Sequence, residues 1–304
     1  MRITNHMLSR NVIRNITHNL EVMSKTQEQM ASGHTVNRPS DDPIYTARIL
    51  SFKSSIAADD QYKKNMEDAK GWLDASDGAL DLTIKVLQRA RELAVYGSNG
   101  TLPKNSMEAQ AKEVDQLIDE LKQTANISYG GRYLFGGTDT TEVPFEKVGN
   151  NIVYKGNTGS LEWEIAPNVT MAVNENGQKI FMEAIDSDGD GVKDKGIFDL
   201  LGELSTSLKS GDYQAVSNTL GDFSKAVDHV LSIRATLGAK SNRMELAMAR
   251  LDESQLSLKE TMSKLADVDL AEVVMNYKAQ EYVYQAALAT GAKVLQPSLI
   301  DYLR

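Results

Sequence analysis

Residues 216–265, VSNTLGDFSKAVDHVLSIRATLGAKSNRMELAMARLDESQLSLKETMSKL, decide the fold of this 304-residue chain. Val216, Leu220, Phe223, Val227, Val230, Leu237, Met244, Met248, Leu251, Leu258, Met262 and Leu265 fall on one ladder of alternating four- and three-residue steps. Arg234, Ser241 and Gln255 carry the ladder through its gaps without loss of phase. A repeat sustained this long predicts a rod-like helix packed against other rods. At 1.5 Å rise per residue the rod would be roughly 75 Å long, too long for one compact domain of this size.

The same pattern recurs outward from that rod. Ile13, Ile16, Leu20, Met23 and Met30, with Gln27 in the gap, predict a first helix over 5–32 that stops at Gly33, a residue suited to a left-handed cap. Asp42 followed by Pro43 is a start signal, a carboxylate over free N–H groups and then proline in the first turn. The helix it starts runs to about Val95 on Met66, Ala69, Leu73, Leu80, Leu87, Ala90 and Ala94, with Ser76 and Thr83 interposed. A third, over about 105–125, carries Met107, Ala111, Val114, Ile118, Leu121 and Ala125. At the far end Leu270, Val274, Tyr277, Tyr284, Leu288 and Leu295 form a last stripe, after a break at Asp267 and Asp269. Rods of this kind bury their stripes together in a four-helix bundle.

The middle differs. Thirteen of the 21 glycines lie between Gly130 and Gly211, so turns and strands are expected there. Residues 132–135, 151–155, 161–165 and 170–173 read as short strands, taken as one small sheet. The expected fold is therefore mainly α: an elongated coiled-coil or four-helix rod bundle built from both chain ends, with a small β-rich central insertion. Its segments are 1–42, a terminal helix that pairs with the C-terminal end; 43–138, the first half of the bundle; 139–196, the insertion; 197–266, the second half; and 267–304, the C-terminal helix.

The composition excludes much chemistry. A net charge of −9 repels phosphate backbones, so nucleic acid is not an expected partner. No apolar run reaches the length of a membrane span, so no membrane partner is expected either. The first 19 residues lack a secretory apolar region, so any export is expected to use another route. With no cysteine there are no disulfides, thiolate nucleophiles or Cys-based zinc sites. His6, His18, His34 and His229 include no pair one helical turn apart around a glutamate, and no elbow serine or phosphate-cradling glycine loop occurs. No catalytic residue and no cofactor are expected. One stretch resembles a metal loop: Asp186, Asp188, Asp190 and Asp194, with Gly189 and Gly191, offer alternating carboxylates to calcium, but Ile197 stands where such a loop has its closing glutamate. A solvated Asp/Gly turn is the competing reading.

Four stretches resemble the flagellin superfamily. They are 27–33 with 36–43 (QEQMASG and VNRPSDDP), 87–95 with 99–101 (LQRARELAV and NGT), 131–138 (GRYLFGGT), and 279–304, which ends PSLIDYLR. The third is similar to the type 3 hook-associated branch and atypical of filament flagellins. The resemblance implies a structural subunit at the hook–filament junction, outside the cell, exported through the flagellar type III route. It further implies four partners: a type 1 hook-associated protein, flagellin, copies of the chain itself in a ring or helical layer, and an export chaperone over the C-terminal stripe. Ile13, Ile16, Leu20 and Met23 are expected to pair with Val274, Tyr277, Tyr284, Leu288 and Leu295 as an assembly interface. Two alternatives stay open: a flagellin that builds the filament itself, and a secreted calcium-dependent adhesin.

Overall fold

The structure, a computed structural model, describes residues 5–100, 102–149, 151–183 and 195–295. Its helices are α1 (Asn5–Ser32), α2 (Pro43–Gly97), α3 (Lys104–Ala125), α4 (Ile197–Ser210), α5 (Tyr213–Ala266) and α6 (Leu270–Leu295). The helix ends follow local chemistry. Gly33 adopts φ 72° and donates its N–H to the Gln29 carbonyl at 2.9 Å, closing α1. Asp42 Oδ1 accepts the N–H groups of Ile44 and Tyr45, each at 3.0 Å, opening α2. Asp269 Oδ1 accepts the Ala271 N–H at 2.9 Å at the start of α6, so the expected break between two helical segments is present.

The chain forms two compact units, residues 59–252 and residues 1–58 with 253–304. The division differs from the five segments expected. It cuts within α2 and α5, and the 59–252 unit holds the strands together with the bundle helices.

In the 59–252 unit the ladders face inward. Met66, Ala69, Leu73, Leu80, Leu87, Ala90 and Ala94 of α2 are buried, as are Met107, Ala111, Val114 and Leu121 of α3 and Val216, Phe223, Val230, Leu237 and Met244 of α5. The short α4 adds Leu200, Leu201, Leu204 and Leu208. Interposed polar residues are satisfied locally: Ser76 Oγ donates to the Trp72 carbonyl at 2.9 Å and Thr83 Oγ1 to the Ala79 carbonyl at 3.0 Å.

The strands correct the expectation of one sheet. They form three separate antiparallel hairpins: β1 (Ser128–Tyr129) with β2 (Arg132–Tyr133), β3 (Phe145–Val148) with β4 (Asn151–Tyr154), and β5 (Glu162–Ala166) with β6 (Val169–Ala172). Gly130 and Gly131, both at positive φ, make the two-residue turn of the first hairpin. Asparagine side chains take backbone groups that a further strand would otherwise pair. Asn174 Oδ1 accepts the Leu161 N–H at 2.8 Å, and Asn157 Oδ1 accepts the Thr138 N–H at 2.8 Å. The sequence reading missed β1 and β3, and it placed Leu134 and Phe135 in a strand that ends at Tyr133. Both instead enter the core, fully buried. There Phe135, Phe145 and Phe198 surround Phe181 at centroid distances of 5.4, 5.3 and 5.8 Å. A single π-helical turn over Gln178–Met182 carries Phe181 into that cluster.

Candidate assembly interface

Within the unit made by residues 1–58 and 253–304, α1 packs along α6. The helices are brought together where α1 ends and α6 begins. His34 pairs with Asp267 in an isolated antiparallel bridge. The Thr35 N–H donates to the Ala266 carbonyl at 2.7 Å, and the Val268 N–H donates to the Gly33 carbonyl at 3.1 Å. The Asp267 carboxylate lies 3.2 Å from His34 Nδ1 and accepts the Ser263 hydroxyl at 2.6 Å.

Among the less exposed residues of α1 are Val12, Ile16, Asn19, Met23, Thr26 and Met30, and among those of α6 are Val273, Tyr277, Gln280, Tyr284, Ala287 and Gly291. Both sets step by four and three, so each is a coiled-coil stripe. Thr26 Oγ1 donates to Gln280 Oε1 at 2.9 Å. At Gly291 the helices come so close that a Cβ would lie 3.0 Å from Val12 Cγ1 and 3.3 Å from Ile16 Cδ1.

This seam corrects the expected pairing. Ile16, Met23, Tyr277 and Tyr284 lie in it, half-buried. Ile13, Leu20, Val274 and Leu288 remain 54, 46, 42 and 44% exposed. Each sits one position beyond a seam residue, hence about 100° around its helix. The seam takes Asn19, Thr26, Gln280, Ala287 and Gly291 in preference to the larger apolar side chains, because small residues permit close approach and the polar pair is satisfied within it. The signal that would have found it is the small and polar four–three spacing shared by both helices. Leu295 closes α6, and its side chain lies outside the described residues.

Several apolar side chains of α1 and α6 accordingly remain uncovered. Ile13, Leu20, Val274 and Leu288 are exposed on the flanks of the seam, and Met7, Val22, Met275, Tyr282 and Val283 are exposed at other positions around the two helices. Beside Leu20 and Met23 lies an open groove of about 620 Å³, rimmed by Lys25, Glu28, Arg38 and Asp41. Arg38 Nη2 donates to Glu28 Oε1 at 2.7 Å, and Lys25 Nζ lies 3.7 Å from Asp41 Oδ1. Hydrogen bonding to Glu28 raises the pKa of the Arg38 guanidinium, holding it in its charged form. Such an edge of paired charges around bare apolar side chains suits a protein–protein contact.

The calcium-loop residues Asp186, Asp188, Asp190 and Asp194 lie outside the described residues. Among the described residues no cluster of three or more His, Asp or Glu could hold a metal ion, and no helix is long and apolar enough to cross a membrane.

Comparison with known proteins gives a consistent neighbourhood. The model of the bacterial flagellin N-terminal helical region matches residues 3–140, and that of the bacterial flagellin C-terminal helical region matches residues 220–303. The chain is 28% identical over 302 residues to flagellar hook-associated protein 3 of Escherichia coli, covering 94% of this chain and 95% of that relative. It is 27% identical over 308 residues to a flagellin of Bacillus subtilis, covering 97% of each. The crystal structure of flagellar hook associated protein-3 from Legionella pneumophila superposes with a TM-score of 0.63 at 17% identity, over 71% of this chain and 98% of that one, and so shares the fold.

Proposed function

This chain belongs to the bacterial flagellin family, and we propose that it is the structural subunit joining hook to filament at the flagellar hook–filament junction. The observation that carries this reading is its end-to-end correspondence with hook-associated protein 3 of Escherichia coli. The exposed apolar side chains of α1 and α6 give that reading a physical basis. Those side chains are left for neighbours to cover, and burying one fully contributes roughly 1.5–3 kcal/mol. The neighbours would be copies of the same chain in a ring or helical layer, a type 1 hook-associated protein on one side and flagellin on the other. Before export, a chaperone would cover the same C-terminal stripe. A packing role of this kind calls on no catalytic residue.

A second reading, a flagellin that builds the filament itself, is favoured by the similarity to the Bacillus subtilis flagellin over 97% of the chain. Deleting the gene in its host separates the two. Bare hooks with monomeric flagellin in the medium are the result expected for a junction subunit: export continues and the filament has nothing to grow on. Loss of the major filament protein itself would identify this chain as the filament subunit. Normal filaments would overturn both.

A further inference from the structure

The apolar ladders of α2 and α5 have a degeneracy. Both repeat every seven residues, so an antiparallel alignment displaced by one heptad still matches apolar rung to apolar rung. The charges share that degeneracy only in part: Lys63 and Lys70 face Asp252 and Glu245 at the same seven-residue spacing, so either slip re-forms one of those two pairs, and only the Arg234 contacts lack a full heptad echo. Lys63 Nζ lies 2.7 Å from Asp252, Lys70 Nζ lies 2.5 Å from Glu245, and Arg234 Nη1 lies 2.9 Å from Asp81. Along α2 these partners advance by seven and then eleven residues, and along α5 they retreat by the same steps, so all three report one alignment. Arg234 is the strongest of these markers. It stands on a ladder rung between Val230 and Leu237 and forks onto Asp77, Nε to Oδ1 at 2.8 Å and Nη2 to Oδ2 at 3.0 Å, while it also reaches Asp81.

We propose that Arg234 is a register lock, selecting by its fork onto Asp77 and Asp81 one of the heptad-spaced alignments that the α2 and α5 ladders would otherwise accept. Slipped one way, Arg234 meets Ile84 and Gln88 and loses both carboxylates, while Asp77 comes opposite Glu245. Slipped the other way, Arg234 keeps one carboxylate, Asp74, in the place of Asp81 but meets Lys70 in the place of Asp77, so the two-carboxylate fork is lost, and Asp81 comes opposite Val227. Like charges brought together, or a charge set against an apolar rung, disfavour both errors. The native alignment also places Asp77 level with Gly238, where an open cleft of about 370 Å³ leaves room for the carboxylate to turn toward Arg234. A polar residue on a ladder rung is a known way to specify register at some cost in stability. This inference concerns folding of the 59–252 unit and holds whether the subunit serves the junction or the filament.

The absence of cysteine makes the test direct. Nitroxide labels on Gln88→Cys of α2 and Leu246→Cys of α5, both exposed, report the axial offset of the two helices in the full chain. After refolding from denaturant, the wild-type background should give one label–label distance. Arg234→Leu, which completes the ladder, should melt no lower than wild type, yet should show a second population whose axial offset differs by about 10 Å, seven residues of helical rise. A single wild-type distance in Arg234→Leu, from the earliest time after refolding, would overturn the proposal. Should that variant fail to fold, Asp77→Ala with Asp81→Ala removes both acceptors and leaves the ladder untouched. The double variant gives the same second population if Arg234 locks the register, and only the wild-type distance if it does not.

Discussion

The two compact units treat their apolar side chains in opposite ways. In residues 59–252 the rungs point inward: Leu73, Leu80, Leu87, Val230 and Leu237 are at most 2% exposed, and polar rungs such as Ser76 and Thr83 return their hydroxyls to their own helix. In α1 and α6 the seam mixes Ile16, Met23, Tyr277 and Tyr284 with small and polar residues, and Ile13, Leu20, Val274 and Leu288 stay exposed. The difference is one of partner supply. Within 59–252 the ladder residues of α2 through α5 find their apolar neighbours in one chain, while Leu82, Val95, Tyr96, Leu231 and Leu246, off the ladders, stay exposed. α1 packs along α6, and a two-helix pair buries one stripe per helix, which leaves further apolar side chains exposed.

Breaking the first half of that comparison should have the largest effect on stability. Phe181 is fully buried at the centre of Phe135, Phe145 and Phe198. Phe181→Ala should lower the unfolding free energy of its unit by about 3–5 kcal/mol, read as a lower denaturant midpoint. The two tryptophans provide the signal, because Trp72 on α2 and Trp163 on β5 stand 6.1 Å apart in the same unit. A loss confined to a few tenths of a kcal/mol would show that the aromatic cluster is peripheral to the fold.

A smaller effect, with a pH signature, belongs to Tyr154. Its hydroxyl lies 3.0 Å from the Phe135 carbonyl oxygen and 2.9 Å from that of Asn157, and burial pushes its pKa up to about 12. The unfolded chain gives up the same proton near pH ~10. The folded state thus holds it more tightly, so the associated stability is whole below pH ~10 and declines as pH rises toward about 12. Tyr154→Phe should cost about 1 kcal/mol at neutral pH, and its melting point should converge on that of wild type as the solution is made more alkaline. A gap that stays constant to high pH would assign the cost to packing alone.

Much of this was legible in the sequence because the heptad ladders are long and their ends carry explicit caps. Gly33, Asp42 with Pro43, and Asp269 mark real helix ends, and the 216–265 ladder lies within a single helix. The hairpins were less legible for a physical reason. A strand of two to five residues has too few positions to display alternation clearly. The terminal seam was misread for another reason. Apolarity marks residues to be buried without saying by what, and choosing the most apolar phase adds Ile13, Leu20, Val274 and Leu288, which stay exposed in the single chain. Gly291 and Thr26 carry the contrary information, since a glycine and a hydroxyl in heptad register mark where two helices touch.

The smallest expected change in stability is therefore also the most informative about assembly. Leu288 is exposed on α6, so Leu288→Asp should alter the melting of the free protein by less than about 0.5 kcal/mol. Ile16 lies in the seam, its Cδ1 3.3 Å from where a Cβ on Gly291 would be, so Ile16→Asp should loosen α1 from α6 and reduce helicity in the free protein. Both variants should fail to restore filaments when supplied to a deletion strain, but for different reasons: one lacks the ordered pair and the other presents an intact pair with a charge on its exposed flank. Circular dichroism of the purified proteins, set beside filament counts in the complemented cells, separates the two. Filaments built with Leu288→Asp would mean that the exposed flank of the seam is not where neighbouring molecules pack, and would shift the assembly contact to the seam residues or to the groove beside Arg38.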